Sequence, residues 1–284
     1  MRFLTTSQIA RLHFGGSRSI TNRRLRLLYD AGLIRTFVRD LASDNVYALA
    51  PGGRDALNEI DRADAAPSCP RRLDGQIDHL LATNTVRVTL TTTLTGGSLS
   101  DWRSDWELRG YANVEAVPDA RFKITWQEIG ERFFALEVEY HTRSPRKFVR
   151  KMLRYAAMQT GSLATDADNA TILVVGRHPI WLERYRHAVA SLSVSRSVWF
   201  SALAELEEKG ADAAIWRPCW ADQCFSLGAL AKRPYGNGSL RAENYMAAQS
   251  YPSRPAHTRS SRTFEITNDP RIDSYDEPDE LVTR

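Results

Sequence analysis

At 284 residues, 43% hydrophobic and 25% charged, the chain has the composition of a globular protein with room for one large or two small cores. No apolar run approaches the roughly eighteen residues of a membrane span and no signal-like leader opens the chain, so a cytosolic protein with no membrane partner is expected. The net charge of +4 is small, and three scattered cysteines (Cys69, Cys219, Cys224) argue against both a disulfide framework and a zinc site.

Leu4-Thr5-Thr6-Ser7-Gln8-Ile9 reads as a complete helix start, with Thr5 as N-cap, Gln8 closing a capping box and Leu4 stapled to Ile9. Gly15-Gly16 ends that helix near Phe14, and Ser19 is expected to cap a second one running to about Ala31. On a helical wheel Ile20, Leu27, Leu28 and Ala31 gather on one side, with Leu25 at its margin, as the buried face; Asn22, Arg23, Arg26 and Tyr29 point away. After Gly32, Ile34 to Arg39 and Val46 to Leu49 predict a hairpin around the polar turn Asp40 to Asn45.

All nine basic residues of positions 1–60 are arginines, and the arginine fork matches phosphates and guanine edges. Two helices with an Asn/Arg outer face followed by a hairpin resemble a winged helix-turn-helix. That resemblance implies major-groove binding of double-stranded DNA through Arg18, Asn22, Arg23, Arg26 and, from the hairpin, Arg39. A winged helix normally has one more helix before the Thr5 helix; only Met1 to Phe3 precede it here.

Residues 61–73 read as a linker. A helix burying one face is predicted from Gln76 to Thr91, with His79 read as an ordinary core or surface histidine, and Gly96-Gly97 marks a bend. Phe122 to Trp126 and Arg132 to Tyr140 form a hairpin, Arg146 to Gln159 a basic helix, and Thr171 to Gly176 a buried strand. A helix over Pro179 to Val189, a strand at Val198 to Ser201, a helix near Leu203 to Lys209 and a strand at Ala214 to Arg217 complete an α/β layer over residues 74–232. Residues 233–284 are polar, aperiodic and acidic at the end, and a disordered tail is expected.

Glu137 and Glu139 are two apart on a strand and so share a face; a preceding turn can bring Asp119 beside them. Converging carboxylates suit Mg²⁺ or Mn²⁺, and the arrangement resembles the PD-(D/E)xK nuclease core, which implies metal-activated water attacking a phosphodiester. On that resemblance Asp119, Glu137, Glu139 and Lys151 are the catalytic candidates, and Glu107, Asp119 and Glu137 the metal ligands. The motif's lysine, two residues after the second acid, is replaced by Glu139, so Lys151 one helix later would have to supply the charge. The competing readings are a nuclease fold kept for binding, and acids that merely line the wet face of an edge strand.

Taken in order, the N-terminal helices and hairpin, Trp-Glu-Leu-Arg at 106–109, Val117-Pro118-Asp119, Leu136-Glu137-Val138-Glu139 and Lys151-Met-Leu-Arg-Tyr155 resemble the replication-relaxation family of plasmids and other mobile elements. That resemblance implies a DNA-binding protein acting in plasmid replication, relaxation or mobilisation, in which an acid at position 139 is ordinary. It leaves open an active nickase or endonuclease and a winged-helix transcriptional regulator. Other replication or mobilisation proteins are the partners it implies, and a homodimer is compatible with it.

Overall fold

The computed structural model describes residues 1–40, 42–59, 69–73, 75–109, 116–141, 144–160 and 170–232. Residues 61–68 of the expected 61–73 linker and the expected tail at 233–284 lie outside the described residues. Two sheets organise what is described: a three-stranded antiparallel one near the N-terminus and a six-stranded mixed one.

The chain begins with β1 (Leu4–Thr5), α1 (Thr6–His13), α2 (Arg18–Asp30), β2 (Ile34–Phe37) and β3 (Val46–Leu49), and the strands associate in the order β1-β3-β2. The Thr5/Gln8 capping box is present as the sequence demands, Thr5 Oγ1 accepting from Gln8 N and Gln8 Oε1 from Thr5 N. The second helix starts earlier than expected. Ser17, not Ser19, occupies its N-cap position, and makes no side-chain cap bond.

The expected buried face of α2 is also corrected. Thr21 and Leu25 are the residues it buries, whereas Ile20, Leu27 and Leu28 are 51%, 56% and 40% exposed alongside the exposed Asn22, Arg23 and Arg26. The rotation follows from Thr21, whose hydroxyl returns to Ser17 O within the helix and so needs no solvent; this lets a threonine share the contact with Leu25.

Pro51-Gly52-Gly53, directly after the hairpin, opens α3 (Pro51–Glu59). Proline suits a first helical turn. The glycines are required by a close approach, because a Cβ on Gly53 would lie 2.1 Å from Leu33 O.

The remaining elements are α4 (Ile77–Thr93), β4 (Gly97–Ser104), α5 (Asp105–Leu108), β5 (Ala120–Trp126), β6 (Gly130–Glu139), α6 (Pro145–Thr160), β7 (Thr171–Gly176), α7 (Pro179–Val189), β8 (Val198–Ala202), α8 (Leu203–Lys209), β9 (Arg217–Pro218) and α9 (Leu227–Ala231). The large sheet runs β4-β5-β6-β7-β8-β9, with β6, β7 and β8 parallel and the outer strands antiparallel. The strand expected at 214–217 lies instead at Arg217–Pro218, and Trp216 just before it pairs with Phe225 rather than with β8. β4 was not legible as a strand. Its pairing slips between Ser100 and Arg103, and Asp101 there has φ +51°.

Side-chain alternation divides the sheet into two cores. Phe134, Leu136 and Val138 of β6 join Phe122, Leu173, Trp199, Val86 and Leu90 on the α4/α8 side. Ala135 of β6 joins Phe148, Met152, Tyr155, Leu182 and Tyr185 on the α6/α7 side. The N-terminal elements attach to the outside of α4: Gln8 Nε2 donates to Leu81 O at 2.8 Å and Thr85 Oγ1 at 2.9 Å, and Asn84 Nδ2 to Phe3 O at 2.6 Å. Helix α4 is therefore buried between α1 and the sheet, not on one face as its sequence pattern implied.

Candidate functional site

At the end of the sheet where β5 begins and β6 finishes, four elements deliver ionisable groups to one place. Antiparallel pairing of Ala120 with Leu136 sets Asp119 beside the C-terminal part of β6, and Asp119 N donates to Leu136 O at 2.9 Å. Its carboxylate turns onto the same strand, with Val138 N donating to Oδ2 at 2.7 Å, while His79 Nε2 from the first turns of α4 meets Oδ1 at 3.0 Å. Glu137 points to the α6 side, where Lys151 Nζ donates to Oε2 and Tyr155 Oη to Oε1. Lys151 and Tyr155 are i and i+4 on α6, so one helix face presents both to the acid.

Burial sets the electrostatics. Glu137 is 1% exposed, and desolvation pushes its pKa up to about 7 despite the opposing charge of Lys151. Burial also opposes ionisation of Asp119, but the hydrogen bond and charge of His79, the charge of Lys151 and the Val138 N–H outweigh it and hold that carboxyl below its ordinary value. Desolvation favours the neutral amine of Lys151, yet the carboxylates at 137, 119 and 139 outweigh it and raise its pKa. Burial, reinforced by Glu137, keeps the Tyr155 phenol protonated well above its usual range.

Of the sequence-derived candidates, Asp119, Glu137 and Lys151 are brought together. Glu139 is buried one step further along β6, where its charge reaches Lys151 and its side chain lines a small hollow with His141, Gly176, His178 and Trp181. Glu107 serves another purpose: Ser104 N donates to its Oε2 at 2.7 Å, closing a capping box on α5, and its charge acts on Arg87.

Both oxygens of Asp119 and both of Glu137 already accept from, or pair with, protein groups. Among the described residues no group of three or more His, Cys, Asp or Glu side chains is placed to hold a metal ion. In this arrangement the donor set does not fit the three-carboxylate cation site expected from the spacing. His79 is the participant the sequence missed. Its partner lies forty positions away across a chain reversal, so no local pattern announced it.

The second candidate surface is α2. Asn22, Arg23 and Arg26 are exposed, Arg26 making only an i,i+4 pair with Asp30 at 3.0 Å. Such exposed pairs are weak and yield readily to a phosphate. Arg18 and Arg39 are held differently. Arg18 bonds Ser7 and Asp44, and Arg39 pairs with Asp78 in the first turn of α4, so both brace the hairpin against its neighbours.

The replication-relaxation family model matches residues 1–174, a span that takes in both surfaces up to the strand after α6. None of the curated proteins compared with the chain matches it.

Proposed function

The chain belongs to the replication-relaxation family, and from that premise we propose that it is a DNA-binding protein of a plasmid or other mobile element, acting in replication, relaxation or mobilisation. Residues 1–60 serve as a winged helix-turn-helix, and the α/β layer over 74–232 is a degenerate PD-(D/E)xK-like domain that holds DNA or a partner without cutting. The observation that carries this reading is the outward presentation of Asn22, Arg23 and Arg26 on α2, next to the β2–β3 hairpin and within a sheet ordered β1-β3-β2. Supporting it, α4 packs across α1, so a later part of the chain supplies the helix that a winged helix ordinarily has before its first strand.

The non-cutting half of the proposal rests on the closed network around Glu137. Each oxygen of Glu137 and Asp119 already has one protein partner among Lys151, Tyr155, His79 and Val138 N, so a metal ion or attacking water has to compete with that network for the remaining lone pairs. A Mg²⁺- or Mn²⁺-dependent nickase is the second reading, favoured by Lys151 standing beside Asp119 and Glu137 although it comes from the next helix. Incubation with supercoiled plasmid and either ion separates the two. The proposal expects no conversion to open circles, and conversion abolished by Asp119→Asn with Glu137→Gln would replace it with the nickase.

DNA binding is tested by fluorescence anisotropy on labelled duplexes. Each arginine reading a base is worth roughly 1–3 kcal/mol. Arg26→Ala should therefore weaken binding severalfold to a hundredfold, and parental affinity in the double variant Arg23→Ala with Arg26→Ala would sink the reading.

A further inference from the structure

Charge on the far side of the large sheet is far more one-sided than the +4 of the whole chain. Residues 145–160 and 177–197, which build α6, α7 and the 3₁₀ turn at Ser193–Ser197, contain nine Lys/Arg and a single acid, Glu183. That acid is occupied by Arg186 and Arg217. Helix α6 itself has five cations and no acid.

The fold sorts those five by face. Lys151 turns inward to Glu137, while Phe148, Met152 and Tyr155 fill the core. Arg146, Arg150 and Arg154 stay exposed, and none makes an ion pair with another described residue. At four-residue intervals they form one ridge, about 12 Å from end to end at 1.5 Å per residue. The phosphates of one DNA strand advance about 3.4 Å each along the duplex axis, so such a ridge can meet several of them. Arg184 of α7 is exposed on the helix packed beside α6.

Position makes this surface distinct from α2. The N-terminal elements attach outside α4, which covers one face of the six-stranded sheet, whereas α6 and α7 cover the other. Helix α4 and the six-stranded sheet therefore stand between the two surfaces.

We propose that the α6/α7 face is a second DNA-backbone-binding surface, and that one molecule bridges two duplex segments, one on α2 and one on Arg146, Arg150 and Arg154. The proposal rests on the DNA-binding reading of α2. Backbone contact alone supplies no sequence preference, so the second segment is held non-specifically and in a strongly salt-dependent way. An anionic lipid surface is the competing occupant, because Leu153 and Ile180 are exposed beside the arginines.

The test is a capture experiment with the full-length chain. Protein is loaded on a bead-bound duplex, and a second, fluorescent duplex is added in solution. The parent should capture it. Arg146→Gln with Arg150→Gln and Arg154→Gln should lose capture at least tenfold while binding the first duplex within about twofold, and the slope of log capture against log salt should fall by roughly 2.7, about 0.9 for each lost phosphate contact. Unchanged thermal unfolding of the triple variant shows that folding is not the cause.

Parental capture by the triple variant overturns the proposal. If the triple variant captures like the parent and Arg23→Ala/Arg26→Ala loses capture, bridging comes from two copies of α2 in a dimer, and the proposal falls while the DNA-binding reading stands. Equal loss of first-duplex binding and capture in the triple variant means one continuous surface, and also overturns it. Loss of binding to phosphatidylserine vesicles with capture intact assigns the face to lipid. Absence of any duplex binding by the parent removes both readings.

Discussion

Replacing Glu137 by glutamine should make the protein's stability less sensitive to pH. The parent's carboxyl is 1% exposed, and burial raises its pKa from 4.5 in the unfolded chain to about 7 in the folded one. Between those values the folded state keeps a proton that the unfolded state has released, so stability is fullest below pH 4.5 and declines as pH rises toward 7. The gap of 2.5 between the two values corresponds to about 3 kcal/mol, at 1.36 kcal/mol per unit. Glutamine does not titrate, yet it can keep both partners: its carbonyl accepts from Lys151, and its amide donates to the Tyr155 oxygen. The stability difference between Glu137→Gln and the parent should therefore shift in the variant's favour by about 3 kcal/mol from pH 4.5 to pH 8. For a protein of this size that is about 6–12 °C in melting temperature. Urea unfolding of both proteins at the two pH values measures it. A difference that stays constant within about 0.5 kcal/mol would refute the reasoning, because it would mean that Lys151 keeps Glu137 ionised throughout.

Asp119 should behave with the opposite sign, its depressed pKa adding stability above pH 3.8 that is lost as pH falls through the folded value. His79→Ala removes the main favourable partner, so the acid-unfolding midpoint should move toward neutral pH, and an unmoved midpoint would show that Val138 N and Lys151 suffice. Gly53→Ala forces a Cβ to within 2.1 Å of Leu33 O and should cost about 1–3 kcal/mol in chemical unfolding; a neutral result would mean that α3 shifts freely. Gln8→Ala removes two hydrogen bonds to α4 as well as half of a capping box, and should cost about 1–3 kcal/mol, with faster amide exchange in α1. Protection equal to the parent's would place the attachment elsewhere.

Much of the site was legible because its strongest signals are local. The period-two spacing of Glu137 and Glu139 puts both on one face, and the four-residue spacing of Lys151 and Tyr155 on a helix puts both on one acid. Glu107 shows the limit of that logic. An acid three residues after Ser104 can cap α5 as readily as it can join a cluster, and the backbone N–H left unpaired at the helix start claims it. β4 escaped notice because an exposed edge strand with a register slip lacks sustained alternation.

By itself the sequence determined the elements whose causes lie within a few residues: the Thr5/Gln8 box, the buried apolar run of β7, the helices over 179–189 and 203–209, and the charge imbalance of α6. Tertiary structure decided which way those elements turn. Helix α2 carries apolar residues on more than one side, and only its packing against α1 and β2 decided that Thr21 and Leu25 are buried while Ile20 and Leu27 stay outside with the arginines. Likewise His79 acquires a role only when pairing of β5 with β6 brings Asp119 to the start of α4. Burial and long-range pairing depend on residues far apart in the chain, and a pattern read along it holds only what neighbours three or four positions apart can impose.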